Sequence, residues 1–594
     1  MAKTYLQVNP SAKMIVLESA ASVGGVWCKE RLYPGLKSNN LVGSYEFSDF
    51  PMDEKLFDVK RGEHIPGPTL HEYLCRFAER FAIYRCIRFN CRVNTVERKE
   101  KGAWIIRSTL NGQVNDLGEG NSTPILTQKL VICTGLTSEP FIPSFIGSAS
   151  FNSPIFHAKY LFDHAPITTK TATNVVILGG SKSAYDAAYA HASAGVTVDW
   201  VIRESGHGPT WMSPALVTPL KKRLEGLVGV RFLTWFSPCI WGDKDGFGGV
   251  RNFLHNTRVG RALVEAFWSV LANDVTTLNG YDKHAETKKL KPWIPAFWIG
   301  SSLSILNYPT DFFEYVRNST IKVHVTDIKR LSPNTVHLTN GETLRADALI
   351  CSTGWKHRPS IKFLPEGLDK QLGLPYHSTS PDDPLAEKAD NEILQRFPKL
   401  ATQPVINEHY KALDGEGSPE SLDRSFQLYR FMIPPAFIND RSIAYTGMML
   451  SVHTACTAQA QALWVTAYFS GHLPRVETPP VKGLATFDKE KVRWEAILHN
   501  RFGKWRYPGG FGKRFPDIVF DGVPYIDMLL RDMGLKYRRK NSRWSELFYP
   551  YGPQDYVGLV DEWKAMVSHQ HKYTACCYLA NRLRSNTRRL QLNG

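Results

Sequence analysis

Paired cysteines are missing from this chain. Its ten cysteines stand at 28, 75, 86, 91, 133, 239, 351, 456, 576 and 577, with no Cys-x-x-Cys and no metal-ligand spacing. That excludes thiolate metal centres, and no metal site is expected; reduced, mostly buried thiols of an intracellular protein are the plain reading. A charged-then-apolar leader is missing as well. The best membrane candidate, MMLSVHTACTAQAQALWVTAYF at 448–469, carries a His, two Gln and several Thr, so it reads as a buried core helix. Nucleic-acid reader motifs are absent, and the formal net charge of +16 is read instead as attraction for anionic, phosphate-rich cofactors. The expectation is a soluble, cytoplasmic protein with small-molecule partners, no nucleic acid and no membrane span.

What is present is globular: 594 residues, 43% apolar and 22% charged, enough for three or four domains. Two segments look like nucleotide-binding units and form an internal repeat. The first is the opening stretch, where apolar 14–17 make a short buried strand ending at acidic Glu18, followed by SVGGVW. A carboxylate at a strand end suits a ribose with free hydroxyls, and Gly24 and Gly25 let the chain pass close to a dinucleotide. The second is TNVVILGGSKSAYDAAYAHASAGVTVDWVIRESG. Its strand 175–178 runs into GGSKSA at 179–184, an alanine-rich helix and a second strand at 198–202. In GxGxxG logic, Gly179 makes the turn while small Ser181 and Ala184 stand in for the later glycines. Arg203 ends the next strand, where a cation would hold a 2′-phosphate, so NADPH and not NADH is implied. After each unit comes a strand ending in Thr-Gly: Thr134-Gly135 and Thr353-Gly354.

Elsewhere, TLHEYLCRFAERFAI spaces Leu74, Phe77, Ala78 and Phe81 as an amphipathic helix. The stretch 206–307 leaves simple α/β alternation and is read as a largely helical insertion. Its aromatics (Trp235, Trp241, Phe267, Trp268, Trp293, Phe297 and Trp298) are core or, in part, the wall of a substrate pocket. HSTSPDDPLAEKADNE reads as a polar surface loop. The last hundred residues wrap the body and end in a basic tail.

Taken together, LESAASVGGVW, YPGLKSNNLVGSYEFSDFPM, HIPG, CTGLTSEPFIP, FNSPIFHAKYL, GGSKSA and STGW resemble the flavin-containing monooxygenases, class B flavoproteins that use FAD and NADPH, and in particular fungal members associated with secondary metabolism. In the family motif FxGxxxHxxx, Phe151 and His157 match, but Ser153 replaces glycine and Leu161 takes the last position. That departure argues against the Baeyer–Villiger version, which ends in Trp.

The resemblance implies an α/β fold of two Rossmann-like domains with a helical insertion and a C-terminal cap. Residues 1–170 would be the FAD domain, 171–355 the NADPH domain with its insertion at about 206–307, 356–470 the return to the FAD domain, and 471–594 the cap and tail. It implies FAD and NADPH as cofactors, O2 and a hydrophobic small molecule as substrates, and a dry, preorganised site. Hydroxylation, epoxidation and Baeyer–Villiger oxidation of a polyketide-like or terpenoid intermediate all stay open.

Asn39, in the family's LxTN-like stretch (here Leu36-Lys37-Ser38-Asn39), is the catalytic candidate. Cofactor contacts are expected from Glu18, Gly24, Gly25, Val26, Trp27, Ser38, Asn39, Thr134, Gly135, His157, Gly179, Ser181, Ser183, Ala184, Asp186, Arg203, Thr353 and Gly354. With no Cys-x4-Cys near the opening unit, a disulfide reductase of the same architecture is disfavoured.

One part of the pattern is missing: a strand and GxGxxG would precede AKTYL. A working protein that begins further upstream is the favoured expectation. The alternatives are an impaired NADPH-binding remnant lacking FAD, or an NADPH oxidase that makes hydrogen peroxide.

Overall fold

The computed structural model describes residues 1–110, 123–217, 221–378, 383–415, 418, 422, 424–477, 485–508 and 511–569. The basic tail at 570–594, with Cys576 and Cys577, lies outside the described residues.

The second nucleotide unit forms a five-stranded, all-parallel sheet in the order Ile155–His157, Leu349–Cys351, Asn174–Leu178, Thr197–Ile202, Ile321–Val325. Val175, Val176 and Ile177 are fully buried, because a parallel strand covered on both faces needs an unbroken apolar run. The helix Lys182–Ala192 packs on this sheet through Ala184, Ala187 and Ala188, each fully buried; their small side chains let helix and sheet approach closely. Chain order reverses between Leu349–Cys351 and Asn174–Leu178, which makes the carboxyl ends of these strands the place for a ligand.

The first unit is built differently. Of the apolar run at 14–17 only Val16–Leu17 is strand, and it pairs in parallel with Ile87–Arg88. Leu130–Ile132 pairs in parallel with Ile443–Tyr445. Among the described residues no strand joins these two pairs into one sheet. A mixed four-stranded sheet lies beside them: Lys362–Leu364 runs parallel to Cys91–Arg98, which continues antiparallel through Trp104–Leu110 to Ile125–Thr127. The helix expected around 71–81 is Gly67–Arg80, with proline in its first turn.

The insertion holds two consecutive helices, Gly248–Asn256 and Arg258–Asn279, and a short parallel strand pair, Trp211–Ser213 with Leu303–Ile305. Trp235, Trp241, Trp268, Phe297 and Trp298 are buried in one core that also takes in Trp464 and Tyr525 of the C-terminal helices, so these aromatics are core and not pocket wall. Phe267 and Trp293 are half-buried. The stretch at 448–469 contributes the helix Thr454–Ser470, buried on nearly every side, and no helix among the described residues is long and apolar enough to cross a membrane.

The polar loop expected at 377–392 is corrected. From Pro384 it becomes the helix Pro384–Arg396, capped by Asp383, whose Oδ1 accepts the Leu385 amide at 3.0 Å. Charge density hid an N-cap and an N1 proline, both strong helix-start signals.

Candidate functional site

The two units meet at a carboxylate. Asp186, in the helix that follows the Gly179 turn, accepts hydrogen bonds from Tyr33 Oη to one oxygen and Tyr308 Oη to the other, each at 2.8 Å, and an ion pair from Lys182. Lys182 also lies over the Tyr308 ring, 4.6 Å from its centroid. Burial and then the Asp186 charge push both phenols well above the usual tyrosine range, so they stay protonated donors.

Beside this cluster opens a cavity of about 250 Å³ lined by Trp27, Ser38, Asn39, Tyr45, Lys182 and Asp186, among others. Ser38 is buried and spent: its Oγ donates to the Asn40 carbonyl at 2.5 Å and accepts the Ile65 amide at 3.2 Å. Asn40 donates to the Val452 carbonyl at 2.6 Å. The Asn39 side chain, on the same strand Lys37–Leu41, makes no hydrogen bond among the described residues, so its amide remains available to a ligand in the cavity. Asn307 Nδ2 donates to the Ser38 carbonyl at 3.0 Å and fixes this strand from the far end of the insertion.

The turn after Asn174–Leu178 fits a pyrophosphate. Gly179 has φ +123°, and a Cβ there would sit 2.3 Å from the Ser352 carbonyl oxygen; one on Gly180 would sit 2.6 Å from that of Gly208. Trp200 Nε1 donates to the Gly179 carbonyl at 2.6 Å. Ser181 is the N-cap but its side chain makes no cap hydrogen bond, which leaves the first amides of the helix open to an anion. Ser183 lies in this first turn and Ala184 is buried against the sheet. Arg203 ends the neighbouring strand, yet it is not a free solvated cation. Its Nε meets Asp327 Oδ1 at 3.3 Å, and Nη2 donates to Ser205 Oγ at 2.9 Å and to the Lys411 carbonyl.

On the other side, Glu18 follows the strand Val16–Leu17 and its carboxylate accepts the Ala20 amide at 2.9 Å. Gly24 (φ +127°) starts a tight turn in which a Cβ would lie 2.8 Å from the Trp27 carbonyl. Trp27 Nε1 donates to Tyr45 Oη at 3.2 Å, and Val26 is exposed. Thr134 Oγ1 is buried without a partner among the described residues, and Gly135 has φ +65°. The helix Ala2–Val8 has Met1 as its N-cap. The residues present therefore fit the ribose and ring ends of a flavin dinucleotide, and fit a nicotinamide dinucleotide at its pyrophosphate.

The two Thr-Gly strand ends are joined. Thr353 Oγ1 donates to the Phe141 carbonyl at 2.5 Å, the Phe141 amide donates to the Gly354 carbonyl at 3.0 Å, and Trp355–Lys356 pairs antiparallel with Glu139–Pro140. His157 sits at this junction, edge-on to Trp355 at 4.8 Å, its Nδ1 accepting the Lys159 amide at 3.1 Å. Burial, helped by nearby Arg31 and Lys159, pushes its pKa down to about 4, so it is a neutral packing residue at neutral pH. Tyr33, Lys182, Tyr308 and Asn307 escaped sequence reasoning. The placement of Tyr33 in YPGLKSNN, just before Asn39, and of Lys182 inside GGSKSA could have marked two of them.

Residues 44–232 match the family Pyridine nucleotide-disulphide oxidoreductase. The chain is 33% identical to an FAD-dependent monooxygenase of Aspergillus nomiae over 95% of its length and 96% of that protein. It is equally similar, at 33%, to one from Pyrenophora dematioidea, covering 92% of this chain and 97% of the other. Among solved structures, a closed form of cyclohexanone monooxygenase superposes with a TM-score of 0.55 at 13% identity, covering 90% of this chain and 94% of that one. A steroid monooxygenase bound to NADP superposes at 0.53 with 17% identity, covering 90% and 96%. These two show the fold.

Proposed function

This chain belongs to the FAD-dependent monooxygenase family, with FAD and NADPH as its cofactors, and from that premise we propose that it oxygenates a hydrophobic small molecule, a polyketide-like or terpenoid intermediate of secondary metabolism. Hydroxylation, epoxidation and Baeyer–Villiger oxidation are the outcomes open to it. The observation that carries the reading is the Asn39 amide, unspent in a cavity that Asp186 of the second nucleotide unit also lines.

When bound, NADPH supplies a hydride and FAD the oxygen-activating ring. The chain's own residues do the rest. Glu18 accepts hydrogen bonds from the flavin ribose, with Gly24 and Gly25 keeping the following backbone close. The open amides after Gly179 and Ser181 take the NADPH pyrophosphate, and Arg203 faces its 2′-phosphate. Asn39, lining the cavity, would offer its free amide to the bound cofactors. Trp27 and Tyr45 wall off water from that corner, and the Tyr33–Asp186–Tyr308 bridge holds the two units in register. A site of this kind raises rate by positioning and by preorganised donors in a dry environment.

The test is turnover of purified chain with NADPH, O2 and a panel of apolar ketones, olefins and phenolic or terpenoid compounds. The expected result is a product heavier by one oxygen atom, formed in step with NADPH loss. Complete recovery of the reducing equivalents as hydrogen peroxide with every compound would favour an oxidase instead.

A further inference from the structure

Residues 407–411, NEHYK, belong to none of the nucleotide motifs, yet they form a strap across the end of the strand Thr197–Ile202. Asn407 Nδ2 donates to the Glu204 carbonyl at 2.7 Å and to that of Gly206 at 2.8 Å. The Lys411 amide donates to the Ser205 carbonyl at 2.9 Å, while the Lys411 carbonyl accepts from Arg203. Tyr410 stacks on His207, ring centroids 4.5 Å apart. The strap is thus fastened at both ends to the loop that follows Arg203.

From the opposite side Asp327 grips the same loop. Its Oδ1 accepts Ser205 Oγ at 2.6 Å and Arg203 Nε at 3.3 Å, and its Oδ2 accepts the Ser205 amide at 3.0 Å. This fixes the guanidinium but also offsets its charge. A phosphate dianion arriving at an Arg–Asp pair meets a net charge near zero, and Arg203 alone would discriminate poorly between nucleotides with and without a 2′-phosphate. The surroundings are nonetheless positive: half-buried His207 feels both Arg514 and Arg203 and is held neutral, its pKa pushed down to about 3 by desolvation first and these cations second. Lys411 is exposed and forms no ion pair among the described residues. The strap's backbone bonds place it next to Arg203.

We propose that the 407–411 strap completes a 2′-phosphate site, with Lys411 as its second cation and Asp327 as the residue that positions Arg203. This rests on the reading of Arg203 as the residue facing the 2′-phosphate. Lys411 would then be a specificity determinant contributed by a segment far in sequence from the nucleotide fold.

The test needs no flavin chemistry. Calorimetric titration of the whole purified chain with adenosine 2′,5′-bisphosphate and with 5′-AMP isolates the 2′-phosphate. The wild type is expected to prefer the bisphosphate. Lys411→Ala should cut that preference about tenfold with 5′-AMP affinity unchanged, Lys411→Arg should restore it, and added salt should erode it in the wild type. An unchanged preference in Lys411→Ala, or equal weakening of both ligands, overturns the strap's role. Arg203→Ala separates the two ideas. If it lowers the preference and Lys411→Ala does not, only the strap proposal falls; if it leaves the preference intact, the 2′-phosphate reading of Arg203 falls and the strap proposal with it.

Discussion

Tyr33 and Asp186 lie 153 positions apart and share a hydrogen bond of 2.8 Å. One comes from the first nucleotide unit and the other from the helix of the second, and the bond stands beside the Asn39 cavity. Its removal gives the first prediction. Tyr33→Phe deletes one donor to a charged, largely buried acceptor and should cost about 2 kcal/mol of stability. Asp186→Asn should do more damage, since Tyr308 and Lys182 lose the same partner. Thermal unfolding checks the stability, and the ratio of product to NADPH consumed should fall in both variants.

Asn39→Ala removes a donor with no other partner, so stability should hardly change. Turnover should drop by roughly a hundredfold, the loss of about 3 kcal/mol of transition-state stabilisation. Hydrogen peroxide should rise relative to product. Normal coupling in this variant would take Asn39 out of the mechanism.

Arg203→Ala should raise the KM for NADPH by about tenfold and leave that for NADH close to wild type. Steady-state kinetics with both cofactors decides it. Equal losses would mean that Arg203 serves only the loop it shares with Ser205 and Asp327.

Acid should destabilise the fold well above the carboxylate range. Burial pushes the pKa values of His157, His357 and His453 down to about 4 and those of His207, His255 and His499 to about 3. The unfolded chain takes up protons on these rings near pH 6.5, whereas the folded chain does not. Stability is therefore fully present above about pH 6.5 and falls as the pH drops toward 4. Asp521 and Asp527, raised to about 6 by burial, act with the opposite sign, gaining a proton in the fold before they would unfolded. His191 is lowered likewise, while Glu46, Asp517 and His324 are raised and side with the two aspartates; the buried imidazoles lose more across this range, and a thermal midpoint that declines from pH 7 to pH 5 is the expected record.

The second nucleotide unit was legible almost residue by residue, because a buried parallel strand, a glycine turn and an alanine-faced helix each leave a local signature. The helix Pro384–Arg396 was misread because charge density outweighed its cap, and the aromatic insertion could not be assigned between core and pocket from periodicity. Glu18 and Gly24 stand at a strand end and a turn as their local pattern requires. The short pairing of Val16–Leu17 depends on which strands lie beside it.

By itself the sequence determined the kind of protein: two nucleotide-binding patterns, a carboxylate at a strand end, a small-residue turn and an asparagine in a family-like stretch. These follow from backbone geometry within a few residues. Only the tertiary structure decided which side chains share a cavity, that Asp186 holds two phenols from distant segments, that His157 is neutral, and that Arg203 is bound between Asp327 and a strap two hundred residues later. Burial, field and hydrogen-bond partners are properties of neighbours in space, and the chain's order does not list them.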